Sequence, residues 1–120
     1  MELRTLKVVK DTQIQYSSKE LLFLAQSGQP YRGTLYINFL SKGTTINLID
    51  LKKYITSLRS KVLNSENIAY EIYEKINTSI TTNNLGVIVD LSARGGLQQR
   101  LSFGTEFTVT QKNNIFQVGQ

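Results

Sequence analysis

The chain has 120 residues, 40% of them hydrophobic, with 14 Lys and Arg against 9 Asp and Glu, so it fits a single basic domain spanning 1–120 with net charge +5. It contains no cysteine and no histidine, which excludes disulfides, thiolate or imidazole metal sites, thiol catalysis and a histidine general base. No apolar run approaches the length of a membrane span, Met1 is followed by no apolar signal region, and the cations are scattered, so a cytoplasmic protein with a solvated basic surface is expected, and nucleic acid is not favoured as a partner.

Residues 4–9 read as a short strand. Residues 17–33 hold one apolar burst, Leu21 to Ala25, and then a loop marked by Gly28 and Pro30, the only proline. Over 34–40, Leu35, Ile37 and Phe39 alternate with Thr34, Tyr36 and Asn38, which predicts a strand. Lys42 and Gly43 form a turn, from which Thr44 to Asn47 are expected to pair back as a hairpin. Leu48, Leu51, Ile55, Leu58 and Val62 recur at helical spacing. Asn64 and Ser65 offer a cap for a second helix, whose stripe is Ile68, Ile72, Ile76 and Ile80, with Ala69 and Tyr73 beside it; Asn83 and Asn84 are a stop signal. Leu85 to Leu91 is a strand, Ala93 to Gly96 a turn, and Leu101 to Val109 a long final strand. Asn113 and Asn114 form a turn before a short strand at 115–118.

The order strand, strand, helix, helix, strand, strand predicts an α+β fold, an antiparallel sheet with two helices on one face. That order resembles the tunnelling fold, a ββααββ unit whose sheets join edge to edge into rings or barrels, with purine- or pterin-like ligands between subunits. Within that fold, four stretches are similar to the 7-cyano-7-deazaguanine reductases, the nitrile reductases of queuosine biosynthesis. Gly28, Gln29 and Pro30 look like the Gly-Gln-Pro that opens the reductase site. Leu51 to Ile55 with Ser57 to Arg59 is similar to the family's Ser-Leu-Lys-x-Tyr-x-x-Ser-Phe-Arg helix. Glu66 falls where the family has the Glu of His-Glu, and Arg94 to Leu97 is similar to Pro-Arg-Gly-Gly-Ile. The resemblance covers about 20–110.

Four departures accompany it. The family's catalytic cysteine falls at Leu24 and its catalytic aspartate at Tyr31. Its Glu-Ser-Lys-Ser stretch, tied to cofactor and substrate contacts, is Asn47 to Asp50, and the histidine beside the glutamate is Ser65. In the family, a thiolate attacks the nitrile carbon, the aspartate moves protons, and NADPH supplies two hydrides. Leu24 cannot act as a nucleophile, and a tyrosine is a poor acid or base at neutral pH. The resemblance therefore implies the scaffold without ordinary nitrile reduction, with no catalytic residue, cofactor or metal assigned.

Glu66 and Ser65 are the candidate ligand-binding residues. A carboxylate accepts two parallel hydrogen bonds from a ring edge, although an acid at a helix N-terminus is also favoured by the dipole. Arg94 and Arg59 are candidate anion or cofactor contacts, against a glycine-turn residue and a solvated or inter-subunit charge. Three readings follow: a homo-oligomer binding a purine- or 7-deazaguanine-like molecule without reducing it, an enzyme of altered chemistry on such a ring, or a structural or partner-binding oligomer with no small ligand.

Overall fold

The computed structural model describes residues 2–109, with Arg94 described at its backbone only. The expected turn at 113–114 and strand at 115–118 lie outside the described residues. The strands are β1 (Thr5–Lys7), β2 (Gln13–Leu24), β3 (Pro30–Ser41), β4 (Thr44–Ile46), β5 (Thr82–Arg94) and β6 (Leu97–Gly104). The helices are α1 (Leu48–Ser57) and α2 (Ile68–Asn77). The main sheet runs β2-β3-β5-β6, every neighbouring pair antiparallel, and β1 pairs with β4 in a small separate sheet. The main elements β2, β3, α1, α2, β5 and β6 give the ββααββ order, with β2 and not the expected 44–47 strand as the partner of β3. Among the described residues no helix is long and apolar enough to cross a membrane.

The core lies between one face of this sheet and the two helices. Leu35, Ile37 and Phe39 of β3 share it with Val87, Val89 and Leu91 of β5, Leu51 and Ile55 of α1, and Ile68, Ile72 and Ile76 of α2. Period two in the strands and three-to-four spacing in the helices place these apolar side chains on facing surfaces. Asn47 caps α1, its Oδ1 accepting from the backbone N–H groups of Ile49 (2.9 Å) and Asp50 (3.1 Å).

Strand β2 has no counterpart in the predicted pattern. Tyr16 and Ser18 pair with Ile37 and Leu35, whereas Leu21 and Phe23 pair with Gly33 and Tyr31, and the register shifts between them. Lys19 and Glu20 form a bulge, which moves the core-facing positions from even to odd numbers and breaks the alternation. The expected hairpin of 34–40 with 44–47 does not form. Strand β3 is central, and its end is already paired on both edges, Leu40 with Gln13 and with Asn83. Thr44, Thr45 and Ile46 pair instead with Lys7, Leu6 and Thr5.

The first apolar stripe is narrower than its spacing suggests. Leu51, Ile55 and Leu58 are buried, but Leu48 and Val62 are more than half exposed. The α-helix ends at Ser57, a single 3-10 turn follows, and the chain then runs beside Leu24: the Leu24 N–H donates to the Lys61 carbonyl, and the Leu63 N–H to the Leu24 carbonyl, both at 2.9 Å. Asn64 makes no side-chain cap bond, because a 3-10 turn over Ser65–Asn67 intervenes before α2.

Asn83 and Asn84 lie inside β5 rather than ending a helix. Asn84 has φ 56° where the register to β3 shifts, a left-handed position that Asn tolerates. The β5–β6 turn is the expected glycine turn: Arg94 pairs with Leu97 across Gly95 (φ 58°) and Gly96 (φ 82°), the two positive angles that a tight two-residue hairpin demands. Strand β6 stops at Gly104 (φ 91°), short of the expected Val109. The next segment bends over β5, so that a Cβ on Gly86 would sit 2.0 Å from the Thr105 carbonyl oxygen.

Candidate functional site

At the end of the sheet near the β2–β3 turn, a cavity of about 240 Å³ is lined by Tyr31, Ser65, Glu66, Ser92, Leu97 and Gln99. Each residue arrives by a separate structural cause. Tyr31 is the second residue of β3, opposite Phe23, and the two rings stack at 5.0 Å between centroids. The turn before it closes through the Ala25 N–H to the Gln29 carbonyl (2.8 Å) and the Gly28 N–H to the Ala25 carbonyl (2.9 Å), with Gly28 at φ 88°. The clamp of Leu24 onto 61–63 draws the start of α2 to this end of the sheet, bringing Ser65 and Glu66 to the cavity. Ser65 is buried and Glu66 exposed. The glycine turn returns β6, so that Leu97 and Gln99 form the remaining wall.

The Gln99 Nε2 donates to the Glu66 Oε2 at 3.4 Å, a long and weak contact that leaves the carboxylate available to a better-placed donor. The cavity therefore presents one carboxylate, one amide, two serines and a tyrosine against the apolar Leu97. Such a set can hold the polar edge of a planar ring, but it contains no thiol or imidazole for covalent or proton-transfer chemistry.

Of the residues singled out from sequence, Tyr31, Ser65 and Glu66 come together here. Leu24 sits one strand-pair from Tyr31, opposite Pro30, but is not among the lining residues. Arg59 lies elsewhere: its Nη2 reaches the Glu20 Oε1 at 3.5 Å in a second cleft of about 470 Å³ between β2 and α1. Arg94 ends β5 beside the glycine turn, and its side chain is outside the described residues. Sequence reasoning missed Ser92 and Gln99, and noted Leu97 only as the end of the glycine motif. Their places follow from the β5–β6 register, in which Gln99 pairs with Leu91, and no local pattern carries that information.

Both ends of the stretch Asn47 to Asp50 are engaged in the fold. Asn47 caps α1, and Asp50 accepts from Arg4 Nε at 2.8 Å, from Nη2 at 2.9 Å and from its backbone N–H at 2.8 Å. These bonds hold the Asp50 carboxyl at about 2, below the usual carboxylate range. Leu48 and Ile49 between them are 58% and 61% exposed and apolar. The four residues do not fit an anionic nicotinamide cofactor: none of them is a cation, Asn47 and Asp50 are already bonded within the fold, and the Arg4 guanidinium beside them is taken up by Asp50.

The profile of a family described as QueF-like protein matches residues 30–108. The chain is 31% identical over 77 residues to the NADPH-dependent 7-cyano-7-deazaguanine reductase of Pelodictyon phaeoclathratiforme, covering 64% of this chain and 66% of that protein. It is 29% identical over 72 residues to the reductase of the same name from Wolinella succinogenes, and 28% over 72 residues to that of Sulfurimonas denitrificans. The matched region is 60% of this chain and 58% of each of those two relatives. A solved structure, the archaeosine synthase QueF-Like in the apo form, superposes with a TM-score of 0.68 at 14% identity, over 82% of this chain and 95% of that one. At that identity the likeness speaks for the fold, a tunnelling-fold unit.

Proposed function

Because this chain belongs to the QueF-like protein family, we propose that it serves 7-deazaguanine metabolism as a binding protein, holding a purine-like heterocycle without reducing a nitrile. The observation that carries this reading is the meeting of Tyr31, Ser65 and Glu66 in one cavity, with Leu24 at the family's nucleophile position. Glu66 accepts the paired N–H donors of the ring edge, and Leu97 with the Tyr31 ring supplies apolar wall. In this reading no step runs through a cofactor, since Asn47 caps α1 and Asp50 is held by Arg4.

The site belongs to an assembly of copies of this chain. Its volume, about 240 Å³, falls below the roughly 300–1,000 Å³ of ordinary ligand pockets. A second copy completing the wall accounts for the shortfall. Among the described residues, β6 and, apart from Leu24 at its end, β2 close the sheet with unpaired outer edges, and exposed edges of this length invite pairing. A structural oligomer without a ligand is the second reading, favoured by the loss of the family's cofactor-contact stretch to capping and to the Arg4 ion pair.

Calorimetric titration with guanine, 7-deazaguanine, 7-cyano-7-deazaguanine and a pterin tests the proposal, with light scattering on the same sample. Binding of a deazaguanine or purine by an oligomer, with no loss of NADPH absorbance when the nitrile is added, is the expected result. An oligomer that binds none of these rings supports the structural reading. Sustained NADPH consumption overturns both.

A further inference from the structure

The main sheet carries its helices on one face only. On its other face lies an open depression of about 470 Å³, lined by Lys19, Arg32, Thr34, Asp90, Ser92 and Gln98 together with Gly33 and Leu91. Its cations come from two neighbouring strands. Arg32 belongs to β3, in register with Leu22. Lys19 comes from the β2 bulge, where one strand presents two residues against one and side chains are re-aimed. The next residue, Glu20, turns the other way, lining the α1 cleft and meeting Arg59 at 3.5 Å. The bulge thus separates Lys19 from the acid beside it.

Asp90 is the only acid lining the depression, and it is already engaged. Its Oδ2 accepts from Arg100 Nη2 at 2.9 Å and its Oδ1 from Gln98 Nε2 at 2.8 Å; Gln98 also donates to the Leu91 carbonyl. Among the described residues neither Lys19 nor Arg32 takes part in a salt bridge. Two exposed cations therefore share one concavity with neither paired to its single carboxylate, which Arg100 and Gln98 hold, beside the hydroxyls of Thr34 and Ser92.

We propose that this depression binds a phosphoryl group, the phosphate or diphosphate end of a small molecule. Two cations match a phosphate carrying nearly two negative charges. The Arg32 guanidinium suits its oxygens as a fork and the Lys19 ammonium as a point charge, and each hydroxyl adds a donor. This site is separate from the heterocycle reading and stands without it. Ser92 lines both concavities, so the phosphate has two candidate sources, a free inorganic anion or a nucleotide whose ring occupies the neighbouring cavity.

The test is calorimetric titration of the full chain with inorganic pyrophosphate and, separately, with guanosine 5′-monophosphate. Pyrophosphate binds with a Kd near or below about 1 mM. Lys19→Gln and Arg32→Gln each weaken it about tenfold or more, as loss of a charged hydrogen bond requires. Lys42→Gln removes the same charge at the far end of β3 and leaves binding unchanged. All three side chains are exposed, so melting temperatures stay at the wild-type value. Tighter binding of the nucleotide than of pyrophosphate identifies a nucleotide ligand, and the reverse order a free phosphate anion. No pyrophosphate binding, or equal weakening by Lys42→Gln, overturns the proposal, the latter marking diffuse attraction to a basic surface.

Discussion

Arg4 clasps Asp50 across 46 positions of the chain, its guanidinium reaching both carboxylate oxygens at 2.8 and 2.9 Å while its own backbone N–H adds a third bond at 2.8 Å. The pair ties the segment before β1 to the first turn of α1, where Asn47 also hands its backbone N–H to the Arg4 carbonyl at 2.8 Å. Asp50, at the end of the stretch that replaces the family's contact residues, is thereby a fastening.

This fastening has a pH signature. The Asp50 carboxyl lies at about 2 in the folded chain, below its value of about 3.9 when unfolded. A depressed folded pKa adds stability that is present above the unfolded value and disappears as pH falls through the folded one. Asp50→Asn should therefore melt below the wild type above about pH 4, with the gap closing between about pH 4 and pH 2. Thermal melts across that range check it, and a gap independent of pH assigns the loss to packing.

Tyr54 shows the opposite economy. It is only 6% exposed, its hydroxyl has no hydrogen-bond partner among the described residues, and burial, then the Glu71 charge, pushes its phenol well above the usual range. A buried unpaired hydroxyl costs about 1–3 kcal/mol. Tyr54→Phe should leave the chain as stable or raise its stability by about 1 kcal/mol in urea unfolding. A clear loss means that the hydroxyl finds a partner in the assembled protein.

Gly86 is required by a crossing of backbones. A methyl there would sit 2.0 Å from the Thr105 oxygen and 2.9 Å from the Phe107 ring, so one strand or the returning segment must move. Gly86→Ala should cost about 1–3 kcal/mol, as overpacking does. Amide exchange should quicken at 105–109 ahead of the sheet. Unchanged stability and exchange would show that the segment does not lie against β5 in solution.

Glu66 carries the functional reading. If its carboxylate accepts the ring's paired N–H groups, Glu66→Gln turns one acceptor into a donor and weakens heterocycle binding about tenfold or further, a mispaired polar contact costing about 1–3 kcal/mol. Because Glu66 is exposed and its Gln99 contact is 3.4 Å long, the melting temperature of the free protein should scarcely change. A large loss of stability with binding intact would assign Glu66 to the start of α2.

Much of the fold is local and was legible. The spacing of Ile68, Ile72 and Ile76 makes a helix with one buried stripe, the alternation of Leu35, Ile37 and Phe39 makes a half-buried strand, and Gly95 and Gly96 suit the two positive φ angles of the last hairpin. These follow from the period of the backbone and the freedom of glycine, which a few consecutive residues suffice to express. Glu66 was legible only as a match to a motif, and Ser65 as a departure from it. What the tertiary structure decided is which edges meet. The bulge at Lys19 and Glu20 hides β2 by reversing its alternation, competition for the edges of β3 sends β4 to β1, and the β5–β6 register delivers Gln99 to Glu66. Pairing partners and register are settled between segments far apart in the chain, where hydrogen-bonding edges and buried faces compete, so no single window of sequence contains them.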